Sequence, residues 1–386
     1  MSTIKVNAIR NTSTDDGGIA IDNSGHVQID GQQLPATGPL SNRNMLINGN
    51  HDVNQRDQGS FTPSHNDFCS DRWRMELSDA SKYTAEQSGT SPDGFRKSLK
   101  ITSSSAFTPA SDDYFLVTQD IEGFNSAPAA FGSSAAKSVT LSFWVRSSLT
   151  GTFACSIRNS AFNRTHIKEY TISTADTWEY KTLTFPGITD GTWNTGSTVG
   201  IRVHWSLGAG SDFHGAADTT LSTNDFATSS STNVVATNGA TWFMTGAQFE
   251  LGATATPFEH RSYGDELARC ERYFQTSFTS SPGTGNTSNA GLVLAGGGAT
   301  GNTTSFLGAA HVQLTPTMRA TPTVTIFDLA TPRNTGKLHR HTYGQTGSNN
   351  NAAVVTDTNT KSFVVRSDSG SSGNGIIFHY QVEAEL

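Results

Sequence analysis

Apolar residues recur at every second position in several short stretches of this chain, and that period decides which folds are open to it. Val139, Leu141, Phe143 and Val145 fall on one face of an extended strand, as do Ile201, Val203, Trp205 and Leu207. The segment IIFHYQVEAEL repeats the pattern, with Ile376, Phe378, Tyr380, Val382, Ala384 and Leu386 on one face and His379, Gln381, Glu383 and Glu385 on the other. That is the signature of a half-buried antiparallel strand. Clusters of Gly, Ser, Thr and Asn bound these runs and supply their turns. The expectation is an all-β fold of antiparallel sheets, a sandwich or jelly roll.

A chain of 386 residues has room for two or three domains, yet its hydrophobic content of 34% is low for a conventional enzyme of that size. The formal net charge of −7 comes with no cluster of Lys and Arg, which argues against nucleic-acid binding. Cys69, Cys155 and Cys270 are widely spaced, match no metal-binding spacing and read as buried reduced thiols. Residues 1–33 show no basic region followed by an apolar one, and no run is long enough to span a bilayer. Neither Sec export nor membrane insertion is expected. Assembly of a particle in a cytoplasm fits both.

The chain divides into an extended N-terminal arm at 1–40, a jelly-roll body at 41–258, a connecting helix at 259–275 and a β-sandwich-like tip at 276–386. In the arm, Ile4, Val6 and Ala8 alternate with polar residues, and IAIDNSGHVQID reads as a hairpin turning at Asn23-Ser24-Gly25. Strands this short bury too little to stand alone, so pairing with other copies or with a larger particle is expected. Leu34 to Ser41, with Pro35, Gly38 and Pro39, reads as a linker. At the connector, Pro257 stops a strand. Ser262 with Asp265 has the form of a helix N-cap, and Leu267, Cys270 and Phe274 fall on one side of about three helical turns.

The stretch from Gly246 to Gln275 carries a denser set of matches: Gln248, Glu250, Gly252, Ala255 to Glu259, Arg261, Glu266, Leu267, Cys270, Arg272, Tyr273 and Phe274. This run resembles a junction of tail-fiber and related virion structural proteins of tailed, marine or cyanobacterial-type bacteriophages. NRNMLINGNHDVNQR with the later Asp71-Arg72-Trp73, LTPTMRATPTVTIFD and the VEAEL ending resemble further segments of that family, as the arm resembles its particle-attachment ends. The order LSFWVR, TWEYKTLTFPG, VGIRVHW and QFELG is also similar to jelly-roll carbohydrate-binding modules. The resemblance implies a homotrimeric virion protein, a tail fiber that binds host surface polysaccharide and joins other tail or adaptor proteins through its arm. A head decoration or baseplate connector without a host ligand, and a glycan hydrolase of tailspike type, are the alternatives.

Period-two reasoning gives the ligand-site candidates. If the aliphatic residues of LSFWVR face the core, Trp144 and Arg146 face outward, and Arg202 and His204 likewise oppose Val203 and Trp205. A Trp beside guanidinium donors suits a sugar, whose apolar face stacks while its hydroxyls take hydrogen bonds. The alternative is that this face packs against a neighbouring subunit or that Trp144 closes a second core layer. Trp178 and Tyr180, in a strand resembling one that packs internally in carbohydrate-binding modules, are assigned to structure.

No cofactor is expected. His339 and His341 lie on one side of a strand and are the candidates for a structural metal ion shared around a trimer axis, with a solvated pair as the alternative. Asp52, Asp57, Asp71, Asp112 and Asp113 match no calcium loop. There is no G-x-S-x-G, no H-E-x-x-H, no phosphate-cradling glycine loop and no carboxylate pair in a recognisable setting. Gly296 to Gly298 read as a turn, and TGSNNN and DSGSSGNG as loops. The expectation is a binding protein and not an enzyme.

Overall fold

The computed structural model describes residues 41–296, 309–342, 347–367 and 374–386, preceded by four short strands. Those strands, Ala8–Arg10, Gly18–Ile21, Val27–Ile29 and Gln32–Gln33, pair in chain order as an antiparallel meander. Ile19 lies opposite Ile9 and Ile29, and Ile21 opposite Val27. The expected hairpin is therefore paired, while its turn at Asn23 to Gly25, Ile4, Val6 and most of the linker lie outside the described residues. Ile19, Ile21 and Val27 are exposed.

The rest groups into two units, one taking the residues through Asn50 with Thr62–Asn66 and Met75–Arg261, the other His51–Phe61, Asp67–Arg74 and Ser262–Leu386. The first is an antiparallel jelly-roll sandwich. Its five-stranded sheet runs Glu179–Phe185, Val139–Ser147, Thr241–Leu251, Ser98–Ser103, Tyr83–Ser88. The opposing sheet contains, in order, Thr220–Leu221, Thr165–Ile172, Gly151–Arg158, Val199–Ala209 and Tyr114–Glu122. From Ser98–Ser103 onward the chain crosses repeatedly between the two sheets, with Gly151–Arg158 and Thr165–Ile172 as a hairpin within one of them, and these crossings make the sandwich a jelly roll and not a pair of meanders.

The period-two faces meet between these sheets. Val139, Leu141, Phe143, Val145, Val203, Trp205 and Leu207 are wholly buried, with Ile201 nearly so. The Phe143 ring meets Trp205 edge-on at 5.6 Å and Tyr170 at 5.2 Å, and Trp242 Nε1 donates to Tyr170 Oη at 3.3 Å. Each such side chain contributes about 1.5–3 kcal/mol of burial, so this aromatic layer fixes the spacing of the sheets.

In the second unit, Asn374–Glu383 is central: Phe274–Thr276, Val293–Ala295, Thr323–Phe327 and Lys337–Thr342 all pair with it. Ile376, Phe378 and Val382 are buried with Leu338, Phe363 and Val365. His379 on the opposite face is buried too, because the segment after Phe274–Thr276 covers it: the Phe278 ring stacks on it with centroids 4.0 Å apart, and its Nδ1 lies 2.9 Å from Ser277 Oγ. The strand Ser348–Thr356 begins inside TGSNNN, so Asn349 to Asn351 are strand and not loop. Residues 297–300 and 368–373, from the glycine turn and the DSGSSGNG segment, lie outside the described residues.

The helix is Tyr263–Glu271, shorter than the expected three turns because Phe274 already belongs to the next strand. Ser262 caps it, its Oγ accepting from the Asp265 amide at 3.2 Å. Just beyond, Arg56 lies between the Phe68 and Phe274 rings, 4.4 and 3.9 Å from their centroids, and donates to Glu385 at 3.2 Å. Arg72, 3.6 Å from the Tyr273 ring centroid, also pairs with Glu385. Arg319 donates to the backbone oxygens of Ala384 and Glu385. The three cysteines are free and buried.

Candidate functional site

The outward face of the five-stranded sheet holds the best-formed candidate. Trp144 and Tyr180 stand opposite each other in register, with ring centroids 5.4 Å apart and planes inclined by 51°. On the other side of Trp144 the strand Thr241–Leu251 carries a bulge: its register with Val139–Ser147 slips between Ser142 and Trp144, at Gly246. Gly246 has φ +62°, which a side chain rarely adopts, and a Cβ there would stand 2.6 Å from Phe95 Cζ and 3.2 Å from Trp144 Cδ1. The glycine is the floor on which both rings rest.

Phe95 arrives from a loop closed by its amide on the Pro92 carbonyl at 3.1 Å. Its ring contacts Phe258 and His260, with centroids 5.2 and 5.3 Å away. Tyr180 is 45% exposed, His260 is exposed, and Trp144, Phe95 and Phe258 are half-buried. Aromatic rings in a row on an open sheet face are costly to leave in water, and they suit a ligand that has apolar faces and many hydroxyls.

The segment carrying Phe258 and His260 is held by Glu259, whose carboxylate accepts from the Arg43 and Asn44 amides and pairs with Arg261 at 3.0 Å. Burial pushes this carboxyl up, but those amide donors and the Arg261 guanidinium outweigh it and hold it below the usual range. Beside it, Glu250 accepts from the Thr256 amide and hydroxyl at 2.8 and 2.7 Å. These two anchors fix the loop against the sheet.

Of the four predicted ligand residues, only two are on this face. Arg146, one turn of the pleat from Trp144, pairs with Asp176 at 3.2 Å. Arg202 and His204 belong to the opposing sheet, whose outer side is roofed by the connection that follows Val199–Ala209, with Phe213 stacked on Phe226 at 4.8 Å. There Arg202 pairs with Asp120 at 2.9 Å and reaches Glu76 at 3.7 Å. His204 is wholly buried, its Nδ1 2.9 Å from Thr118 Oγ1 and its Nε2 accepting from Arg158 Nε at 3.1 Å. Period two correctly turns both side chains away from the core, but it cannot see a long loop folding over the far face.

His339 Nδ1 lies 2.7 Å from Asn349 Oδ1, and the side chain of His341 lies outside the described residues. Among the described residues no three His, Cys, Asp or Glu side chains are grouped to hold a metal ion. Asp71 is engaged by Gln55, and Asp113 accepts from Ser78 Oγ and the Ala110 amide.

Period two along single strands of the sequence does not reach Phe95, Tyr180, Phe258 and His260 as ligand residues. Tyr180, assigned there to internal packing, is on the open face because its neighbours Glu179 and Lys181 alternate with it at the edge of the sheet. The sequence signal for the others is Gly246, an isolated glycine inside a strand pattern, which marks a bulge or a close approach.

No protein-family profile matches the chain, and no curated protein matches it by sequence. Among solved structures it is similar to the enzymatically active domain of tailspike protein 4 of Bacteriophage CBA120, with a TM-score of 0.31 at 13% identity. That alignment covers 54% of this chain and 21% of the tailspike chain. It is also similar to a CBM4 structure, at a TM-score of 0.28 and 12% identity, covering 51% of this chain and 97% of that one. For a putative sugar binding protein from Bacteroides thetaiotaomicron the TM-score is 0.31 and the identity 10%, with 54% of this chain and 100% of that chain covered. At such scores a likeness assigns neither ligand nor activity.

Proposed function

We propose that this chain is a non-catalytic glycan-binding subunit of a tailed-phage virion, a tail fiber that attaches to host surface polysaccharide. The observation that carries the reading is the open aromatic row of Tyr180, Trp144 and Phe95 across one sheet of the jelly roll. Each ring contributes about 0.5–1.5 kcal/mol by stacking on a sugar face, which is weak alone. Copies tethered in a homotrimer raise the effective concentration of neighbouring sites and convert weak contacts into durable attachment. The exposed Ile19, Ile21 and Val27 of the arm sheet supply apolar surface for association with other copies or with tail and adaptor proteins, in a virion assembled in the host cytoplasm.

A binding role is favoured over hydrolysis because the carboxylates beside the row are all engaged, Asp176 by Arg146, Glu86 by Lys100, Glu259 by Arg261 and Glu250 by Thr256. A glycosidase needs two carboxyl groups flanking the scissile bond. The test is adsorption of labelled full-length protein to susceptible host cells and to a strain lacking its surface polysaccharide. Selective adsorption that Trp144→Ala abolishes is the expected result. Equal adsorption to both strains, or none by the assembled protein, would assign the chain to a connector or decoration role instead.

A further inference from the structure

A second row of side chains runs parallel to the aromatic one, two residues further along each strand. Arg146 lies in register with Phe243, Phe243 with Lys100, and Lys100 with Glu86, so the row crosses four strands. Phe243 is the buried centre: the Arg146 guanidinium is 5.3 Å from its ring centroid and Lys100 Nζ 5.8 Å. The two cations are thus two strand spacings apart, about 9.6 Å between their backbones. Each is answered by a carboxylate at the margin of the face, Asp176 at 3.2 Å from Arg146 and Glu86 at 2.7 Å from Lys100. Asp176 is 57% exposed in its side chain, and the buried Nε of Arg146 has no hydrogen-bond partner among the described residues.

We propose that the glycan taken by this face is an extended acidic polysaccharide, laid across the strands, with a carboxylate on alternate sugars. This rests on the glycan-binding reading and narrows its ligand class. The apolar sugar faces stack on Tyr180, Trp144 and Phe95, and the carboxylates reach Arg146 and Lys100. A separation of two strand spacings is close to the rise of one disaccharide in an extended chain, so successive anionic sugars meet successive cations. Asp176 and Glu86 hold the cations in place until the ligand carboxylates replace them, and the exposed Asp176 gives way more readily than the half-buried Glu86 because an exposed ion pair is weak. A neutral chain would have no use for this spacing, and a planar guanidinium matches a carboxylate better than a hydroxyl.

The test uses the full-length protein in affinity gels containing hyaluronan, which carries a carboxylate on alternate sugars, alginate, which carries one on every sugar, and the carboxyl-reduced form of each. Hyaluronan should be retained more strongly than its reduced form and than alginate, with retention falling as salt rises. Arg146→Gln and Lys100→Met, which keep the stems over Phe243, should each weaken that retention about tenfold, the value of one charge-assisted contact, with the thermal midpoint unchanged. Equal retention of acidic and reduced forms, both lost in Trp144→Ala, would overturn the acidic class and leave the glycan reading standing. Stronger retention of alginate than of hyaluronan would overturn the alternate-sugar spacing. Retention of none of the four would overturn both readings, and self-association that Trp144→Ala abolishes would then assign the face to a second copy of the chain.

Discussion

Gly246→Ala tests whether the bulge in Thr241–Leu251 is what builds the candidate site. The methyl group would stand 2.6 Å from Phe95 Cζ, 2.9 Å from Phe95 Cε1 and 3.2 Å from Trp144 Cδ1, in a backbone with φ +62°. The left-handed conformation alone costs about 1–2 kcal/mol for a residue with a Cβ. Phe95 is half-buried and comes from a loop, so its ring tilts away and the clash adds little to that figure. The thermal midpoint should therefore fall by about 2–4 °C per kcal/mol, a small change for a domain of this size.

Binding should suffer more. Two displaced rings forfeit about 0.5–1.5 kcal/mol of stacking each, which together weaken affinity by roughly 5- to 150-fold. Gly239→Ala is the matched control, since Gly239 has φ +76° and nothing within 4 Å of a built Cβ. It carries the same backbone penalty without touching a ring. Measured by affinity electrophoresis in polysaccharide gels, Gly246→Ala should lose retention while Gly239→Ala keeps it. Equal retention by the two variants would mean that Trp144 and Phe95 do not carry the ligand.

Glu385→Gln removes the carboxylate shared by Arg56 and Arg72, whose side chains are only 8% and 2% exposed, and should cost about 3–5 kcal/mol in calorimetry; a loss below about 1 kcal/mol would show that the pairing is incidental. Ser262→Ala should cost about 1 kcal/mol through the lost bond to the Asp265 amide, read as a lowered thermal midpoint that Ser262→Asp largely restores. Burial lowers His51 from 6.5 to about 3, so between those values the unfolded chain binds a proton that the native one refuses. Stability should then be full above about pH 6.5 and fall as pH drops toward 3, by on the order of 5 kcal/mol at most. Buried Asp71, whose carboxyl burial pushes up, opposes this at the acid end. Unchanged urea midpoints between pH 7 and pH 4.5 would refute a buried neutral His51.

The sandwich was legible because period two is a property of backbone geometry: wherever Val139 to Val145 or Ile201 to Leu207 are extended, one set of side chains must leave water. The same rule correctly put Trp144 and Arg146 on the outer face. It does not show what covers Arg202 and His204 on the far side: Arg202 lies on the Phe162 ring and pairs with Asp120, and His204 is held by Arg158, which the loop caps with Asn224 and Phe226. It failed for His379 because the segment that covers it, with Phe278 and Ser277, cannot be read from the strand's own residues. Phe95 comes from a segment far in the chain from Phe258 and His260, and only the closure of the sheet brings Phe95 over Gly246 and the other two against its ring.

The motif residues behave differently from the candidate site. Arg56, Asp71, Arg72, Tyr273, Phe274, Arg319 and the VEAEL ending, scattered over the whole sequence, converge in one unit where guanidiniums lie on rings and hold Glu385. Gln248, Glu250, Thr256, Glu259 and Arg261 make the corresponding network in the other unit. Buried charges and amides need particular partners at particular positions, since an unmatched one costs several kcal/mol. Such residues leave recognisable words in a sequence. Rings on an open face need only be flat, apolar and roughly placed, so Tyr, Trp, Phe and His serve in turn and no word forms. A site of this kind is therefore found by locating the networks first, and then asking which aromatic residues they hold in the open.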